Sequence, residues 1–310
     1  MNVLFHFAAG PDLAARLAAV PGLSITACAE DDDGLLARLL PETDVLWHAL
    51  KPCTATMIAA APKLRLIQKI GVGVNTIDLE AAQARGVPVC NLPGTNSRAV
   101  AELTLALMLG TLRRLPRFDA ALRHGAWSDP ALQDGIFEIG GRTVGLVGYG
   151  AIPRLLAPVL SALDCRLLYT ARRPVADALG EWRTLDALLT ECDIVSLHLP
   201  LTEATTALID AKALARMKPG AVLINTARGG LVDQASLVDA LRSGRLAAAG
   251  LDVFAQEPPD PADALFSMPN VVVTPHIAWL TTGTFDRSFA LAAENCRRLA
   301  AGEALLHRVV

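Results

Sequence analysis

No sign of charge dominates this chain. Its 28 lysines and arginines stand against 31 aspartates and glutamates, for a net charge of −3. The isoelectric point near 6.1 offers no basic surface to nucleic acid or to anionic lipid. A long clean hydrophobic run is also missing, although the mean hydropathy of +0.38 is high. The most apolar stretch, residues 99–112, contains Glu102 and Thr104 and is followed by Arg113 and Arg114. That falls short of the roughly 18 apolar residues a membrane span needs, so a buried helix is expected and no membrane partner. No basic segment precedes the apolar start Val3–Phe7, so no secretory signal is read and a cytoplasmic location is expected. The six cysteines (Cys28, Cys53, Cys90, Cys165, Cys192, Cys296) form no C-x-x-C pair. Buried reduced thiols are the expectation, with no metal site. Internal repeats and low-complexity tracts are absent too.

What is present is material for a large core. Hydrophobic residues make up 52% of the 310 and charged residues 19%, which excludes a disordered chain. At about 150 residues per domain, two domains are expected. Short apolar runs alternate with amphipathic segments. Val3–Phe7, Ser24–Cys28, Val45–His48, Leu64–Lys69 and Val87–Cys90 read as strands. Helical patterns near Leu13–Ala19, Gly34–Leu40 and Ala55–Ala61 lie between them. The spacing then predicts one long helix from Asn96 to about Arg123, apolar on more than one face, and a polar loop over 124–134. Beyond it the alternation restarts, with strands at Thr143–Val147, Arg166–Thr170, Ile194–Leu197, Ala221–Asn225, Ala247–Leu251 and Val271–Thr274, and a last helix over Phe285–Ala301. Such alternation is the pattern of parallel strands joined by crossover helices, an α/β fold.

The segment Thr143-Val144-Gly145-Leu146-Val147-Gly148-Tyr149-Gly150-Ala151-Ile152-Pro153 reads as strand, turn and helix start. Gly148 and Gly150 fill the first two places of a dinucleotide-binding G-x-G-x-x-G, and Tyr149, Ala151 and Ile152 complete the turn. The first glycine permits the tight turn; the second lets the backbone approach a pyrophosphate at the helix N-terminus. Pro153 replaces the third glycine, acceptable where no helical N–H is required, though bulkier against the sheet. About 20 residues on, where an acid usually holds the adenosine ribose, stands Thr170, followed by Arg172 and Arg173. An uncharged residue with neighbouring guanidinium groups suits a 2′-phosphate. NADP(H) is therefore expected over NAD(H).

Three further strand ends carry isolated polar residues: Asn225–Gly230, Asp252–Pro258 and Thr274–Trp279. In an open parallel sheet, ligands bind beyond the carboxyl ends of strands. Arg228, Glu257 and His276 together offer an anion clamp, an orienting carboxylate and a proton donor.

These segments resemble the signatures of the D-isomer-specific 2-hydroxyacid dehydrogenases. The resemblance runs through Gly71-Val72-Gly73-Val74-Asn75-Thr76-Ile77-Asp78, Asn96–Glu102, the Gly148 turn, Leu197-His198-Leu199-Pro200-Leu201-Thr202, and the Arg228, Glu257 and His276 segments. It implies two Rossmann-like domains with parallel sheets: a flavodoxin-like substrate domain over 1–96 and 282–310, and a dinucleotide domain over 97–281, with the active-site cleft between. It implies His276 as acid/base, Glu257 as its hydrogen-bonding carboxylate and Arg228 as the group that binds substrate carboxylate and carbonyl. The N–H groups of Val72, Gly73 and Val74 form a nest for the carboxylate. Lys69 faces substrate or solvent, and Trp279 walls the pocket or fills the core. Leu199, Pro200, Thr226 and Ala227 join the cofactor site, and Asp252 faces the nicotinamide carboxamide. The expected reaction is reversible hydride transfer between NADP(H) and a small 2-keto or D-2-hydroxy acid such as glyoxylate or hydroxypyruvate. The substrate clues disagree: Gly71–Asp78 looks like phosphoglycerate-type members, Tyr169–Arg173 like glyoxylate/hydroxypyruvate reductases. A dinucleotide-sensing regulator, or a dehydrogenase of 3-phosphoglycerate, formate or phosphite, is the alternative. A homodimer paired through the long-helix region is expected. No regulatory domain is read after the last helix, so control by an end product is not expected.

Overall fold

Among the described residues the strands of both sheets pair with one another in parallel, which is what short apolar runs separated by helices require, and one antiparallel bridge, Cys90 with Arg308, ties in the C-terminal segment. The computed structural model describes residues 1–128 and 130–310. It divides into two units, Met1–Asn96 with Leu280–Val310, and Ser97–Trp279.

The first unit holds β1 (Asn2–His6), β2 (Ser24–Cys28), β3 (Val45–His48), β4 (Leu66–Lys69) and β5 (Val89–Cys90), in the order β2-β1-β3-β4-β5. Helices α1 (Pro11–Ala18), α2 (Asp33–Leu39), α3 (Ala55–Ala59) and α4 (Leu79–Ala84) connect them. Two of these begin where Asp32 and Thr54 accept a first-turn N–H, and α4 begins likewise at Asp78. The C-terminal helix Thr282–Ala301 belongs to this unit. Its Phe289 ring stacks on Trp47 at 5.3 Å, and its buried Asn295 amide donates to Gln68 at 2.7 Å. Trp47 and Phe5 are wholly buried; each such side chain is worth about 1.5–3 kcal/mol of transfer free energy.

The second unit holds β6 (Thr143–Val147), β7 (Arg166–Thr170), β8 (Glu181–Trp182), β9 (Ile194–Leu197), β10 (Ala221–Asn225), β11 (Leu246–Leu251) and β12 (Val271–Val273). Their order is β12-β11-β10-β9-β6-β7-β8. The order reverses between β6 and β9, the switch point at which a doubly wound sheet opens a ligand crevice. Helices α5 (Ser97–Leu112), α6 (Leu115–Arg123), α7 (Pro130–Gln133), α8 (Ala151–Ala162), α9 (Leu185–Glu191), α10 (Ala211–Arg216), α11 (Gln234–Arg242) and α12 (Ala264–Ser267) complete it.

Two expectations are corrected here. The single helix from Asn96 to Arg123 is two helices, broken at Arg114 with φ 51°. Pro116 has no N–H and its ring would meet the Leu112 carbonyl four residues back; that carbonyl instead accepts from Phe137 N–H at 3.2 Å. The polar loop over 124–134 contains α7, and Asp129 lies outside the described residues. All six cysteines are buried and unbridged, and no described helix is long and apolar enough to cross a membrane.

Candidate active site

The glycine turn follows β6 directly. Gly148 has φ +99°, and a side-chain carbon there would come within 2.8 Å of the His198 carbonyl oxygen and 3.0 Å of Leu199 Cδ2. Only glycine fits between β6 and the end of β9. Gly148 N–H donates to Thr170 C=O at 2.9 Å, so the turn and the end of β7 are held together. Gly150 caps α8 without a side-chain bond, leaving the first N–H groups of the helix open. A side-chain carbon at Gly150 would meet nothing within 4 Å. Pro153 is the third residue of α8 and is buried, where its missing N–H has no intrahelical partner to lose. On the other face of β6, the absent side chain of Gly145 makes room for Leu188 and Cys192 of the α9 region.

Around this turn, Ala151 is exposed and Ile152 half-buried at the start of α8, while Leu199 is half-buried and Pro200 exposed. Thr226 is buried and its hydroxyl lies 2.8 Å from Thr104 Oγ1 on α5. Thr104 already donates to Val100 C=O, so Thr226 is the donor and its hydroxyl is committed to α5. Burial pulls the His198 imidazole down to about 3, so it stays neutral, 2.9 Å from Ser196 Oγ. Arg172 and Arg173 are exposed and make no hydrogen bond or ion pair among the described residues.

The polar set lies at the ends of β10, β11 and β12. The Asn225 side chain closes the turn after β10, donating to Arg228 C=O at 2.9 Å and accepting from Ala227 N–H at 3.0 Å. A side-chain carbon at Gly229 would overlap the Phe254 carbonyl, so glycine alone lets the Arg228 loop lie on the loop after β11. Burial lowers the Arg228 guanidinium from its ordinary value, and the Glu257 carboxylate opposes that shift. Glu257 accepts from Phe254 N–H at 3.0 Å through one oxygen and faces His276 Nδ1 at 2.6 Å through the other. Burial pushes the Glu257 carboxyl up, but its bond to His276, the His276 and Arg228 charges and the Phe254 N–H together hold it below the ordinary range. With Nδ1 engaged, Nε2 is the free ring nitrogen.

His276 has φ 53°, a left-handed conformation uncommon for a side-chain-bearing residue. Asp252 holds it there. Its carboxylate is fully buried and accepts from Thr274 Oγ1 at 2.6 Å, Ile277 N–H at 2.9 Å and Ala278 N–H at 2.9 Å, while its own C=O accepts from His276 N–H at 2.8 Å. Burial raises the Asp252 carboxyl, and these bonds pull it back only in part. The sequence reading gave Asp252 to the carboxamide and missed this second task, for which Thr274 and the two N–H groups give no sequence signal. Trp279 is buried with Nε1 donating to His276 C=O at 3.0 Å: the indole braces the same turn.

In the first unit, Gly71 has φ +146°. Asn91 Nδ2 donates to Val72 C=O at 2.8 Å and Leu92 N–H to Gly71 C=O at 2.8 Å. The N–H groups of Val72, Gly73 and Val74 meet no acceptor among the described residues. Lys69 is a correction: it is not solvated. It is 6% exposed, with Nζ donating to Ala49 C=O and 3.4 Å from His48 Nδ1, because β3 and β4 end side by side and turn both side chains inward.

The sequence model described as "D-isomer specific 2-hydroxyacid dehydrogenase, NAD binding domain" matches residues 105–278. The chain is 43% identical to a D-3-phosphoglycerate dehydrogenase of Mycobacterium tuberculosis over 278 residues, 88% of this chain but 52% of that protein; the chain thus spans about half the length of that relative. It is 39% identical to a hydroxypyruvate reductase of Thermotoga maritima over 246 residues, 78% of this chain and 80% of the relative. The crystal structure of an NADPH-dependent glyoxylate/hydroxypyruvate reductase from Sinorhizobium meliloti superposes with a TM-score of 0.83 at 31% identity, covering 100% of this chain and 97% of that one. With the matched model covering more than half its residues, and with these relatives and this sheet order, the chain belongs to the D-isomer-specific 2-hydroxyacid dehydrogenase family.

Proposed function

We propose that this chain is an NADP(H)-preferring reductase that interconverts a small 2-keto acid, glyoxylate or hydroxypyruvate, with its D-2-hydroxy acid. The observation that carries this reading is the Glu257–His276 pair at 2.6 Å beside the half-buried Arg228, at the strand ends of a sheet of this family. The glycine cradle at Gly148 and the open N-terminus of α8 fit a dinucleotide pyrophosphate. Gly148, Tyr149, Gly150, Ala151 and Ile152 would hold it through backbone, with Leu199, Pro200, Thr226, Ala227 and Asp252 lining the remainder. When bound, the dinucleotide supplies the hydride that the C2 carbonyl carbon receives.

The rest is work for side chains. His276 gives the proton on Nε2 to the oxygen of C2 as negative charge develops there. Glu257 holds Nδ1–H, fixes the ring and stabilises the imidazolium. Arg228 binds the carboxylate and polarises the carbonyl; in a desolvated setting that interaction gains strength. In the first unit, the open N–H groups of Val72, Gly73 and Val74 suit a carboxylate. Thr170 leaves no carboxylate to repel a 2′-phosphate, and Arg172 and Arg173 are uncommitted cations beside it.

The experiment is a panel of 2-keto acids assayed with NADPH and with NADH. Glyoxylate or hydroxypyruvate with NADPH should give the highest kcat/KM, by at least about tenfold over NADH, because a charge-assisted contact is worth about 1.5–3 kcal/mol and 1.4 kcal/mol is tenfold. Thr170→Asp with Arg172→Ala should turn the preference toward NADH. A wild-type preference for NADH overturns the cofactor reading. No turnover of any 2-keto acid overturns the activity.

A further inference from the structure

The chain contains two tyrosines, and both hydroxyls are used on one segment, residues 171–180. This segment follows β7, carries Arg172 and Arg173, and has no helix or strand of its own. Tyr169 Oη accepts from Val175 N–H at 2.9 Å and donates to Val175 C=O at 3.3 Å. Tyr149 Oη accepts from Leu179 N–H at 2.7 Å and donates to Leu179 C=O at 3.2 Å. Each hydroxyl thus satisfies both backbone groups of one residue, as a neighbouring strand would. The two rings lie 4.6 Å apart, so the anchors support each other.

Two more ties fix the same segment. Arg154 on α8 makes a bidentate pair with Asp177 at 2.8 and 3.0 Å, and its guanidinium lies over the Tyr149 ring at 5.6 Å. Trp182 Nε1 donates to Ala171 C=O at 3.1 Å. Between the anchors at Ala171 and Val175 stand only Arg172, Arg173 and Pro174, and proline restricts that short span further. Tyr149 and Arg154 come from the glycine turn and its helix. The segment with the free arginines is therefore tied to the element that would seat the pyrophosphate.

We propose that Tyr149 and Tyr169 are positioning residues for cofactor selectivity: they brace residues 171–180 so that Arg172 and Arg173 meet a ribose 2′-phosphate. This rests on the reading of that loop as a 2′-phosphate site. Long side chains on an unbraced loop pay ordering entropy for each contact; a braced loop has lost it already. A tyrosine serving stability alone would lower the Tm and weaken phosphorylated and unphosphorylated ligands alike.

The test measures, by calorimetry, the Kd of adenosine 2′,5′-bisphosphate and of 5′-AMP for the full chain, wild type and Tyr169→Phe, with hydrogen exchange at the Val175 and Leu179 amides. Losing the bonds of one hydroxyl should weaken the bisphosphate about three- to tenfold and 5′-AMP less than about twofold. Exchange should quicken at Val175 in Tyr169→Phe and at Leu179 in Tyr149→Phe. Arg154→Gln, which removes the Asp177 tie without touching a tyrosine, should shift the ligand ratio the same way and serves should a tyrosine variant fail to fold. A wild type that binds both ligands equally overturns the 2′-phosphate reading and this inference with it. A wild type that favours the bisphosphate by a ratio unmoved in all three variants overturns the inference alone.

Discussion

His276 sits in a backbone conformation that side-chain-bearing residues rarely adopt, and the buried Asp252 carboxylate is what holds it there. That division of labour is testable. In Asp252→Asn the amide oxygen can take the place of Oδ1, which serves Thr274 and Ile277, but the NH₂ then faces the Ala278 N–H, donor against donor. An unsatisfied buried donor costs about 1–3 kcal/mol. The variant should lose about tenfold or more in kcat and melt several degrees lower, measured by steady-state assay and thermal denaturation. Unchanged kcat would assign the turn's geometry to Trp279 alone. The pairing of Glu257 with His276 was legible in the sequence because each residue stands in a recognisable strand-end motif. The turn that aims His276 was not, since it depends on backbone groups that every residue has.

At the level of elements, strands were easiest to read. β2, β3, β6, β7, β9 and β10 fall on the expected residues; for β3, β6, β9 and β10 this is because a strand buried on both faces reads as a continuous apolar run, while the edge strand β2 was marked by its β-branched residues. The two-residue β8 and the short α4 leave too little periodicity to detect. The α5–α6 break was marked by Pro116, but the apolar residues on both sides of it read as one run. A glycine whose close approach the motif does not announce is Gly145, inside β6 and facing α9. A side-chain carbon there would lie 2.5 Å from Leu188 Cδ2 and 2.6 Å from Cys192 Sγ, both fully buried. Gly145→Ala should therefore lower stability by about 1–3 kcal/mol in urea denaturation. Adding Leu188→Ala should cost less than the sum of the two single changes, because the second makes room for the first. Additivity would show that α9 moves freely and that the fit at Gly145 is not tight.

For the whole molecule, two properties follow from what is exposed and what is buried. Leu115 and Leu122 on α6 are each 56% exposed, Trp127 is 89% exposed and Phe137 40%. Large apolar side chains left open along one stretch suit a twofold, self-complementary contact. Light scattering at micromolar concentration should give a dimer, and Leu122→Asp should shift it toward monomer. A wild-type monomer would leave that stretch without this role. Burial also keeps His6, His48 and His198 below their ordinary value of 6.5, the first two with help from Lys51 and Lys69 respectively. The native chain does not protonate them near neutrality, while the unfolded chain does below 6.5, so stability is full above that pH and falls as pH drops through it. For His198, at about 3, the loss continues down to that value at about 1.4 kcal/mol per pH unit, or about 2 kcal/mol between pH 7 and 5. His6 and His48 act in the same direction on the first unit and His198 on the second. Urea midpoints measured from pH 7 to 5 should therefore fall, and His198→Gln should flatten the part of that dependence that belongs to the second unit. A slope that His198→Gln leaves intact would mean the native chain protonates this imidazole as readily as the unfolded chain does.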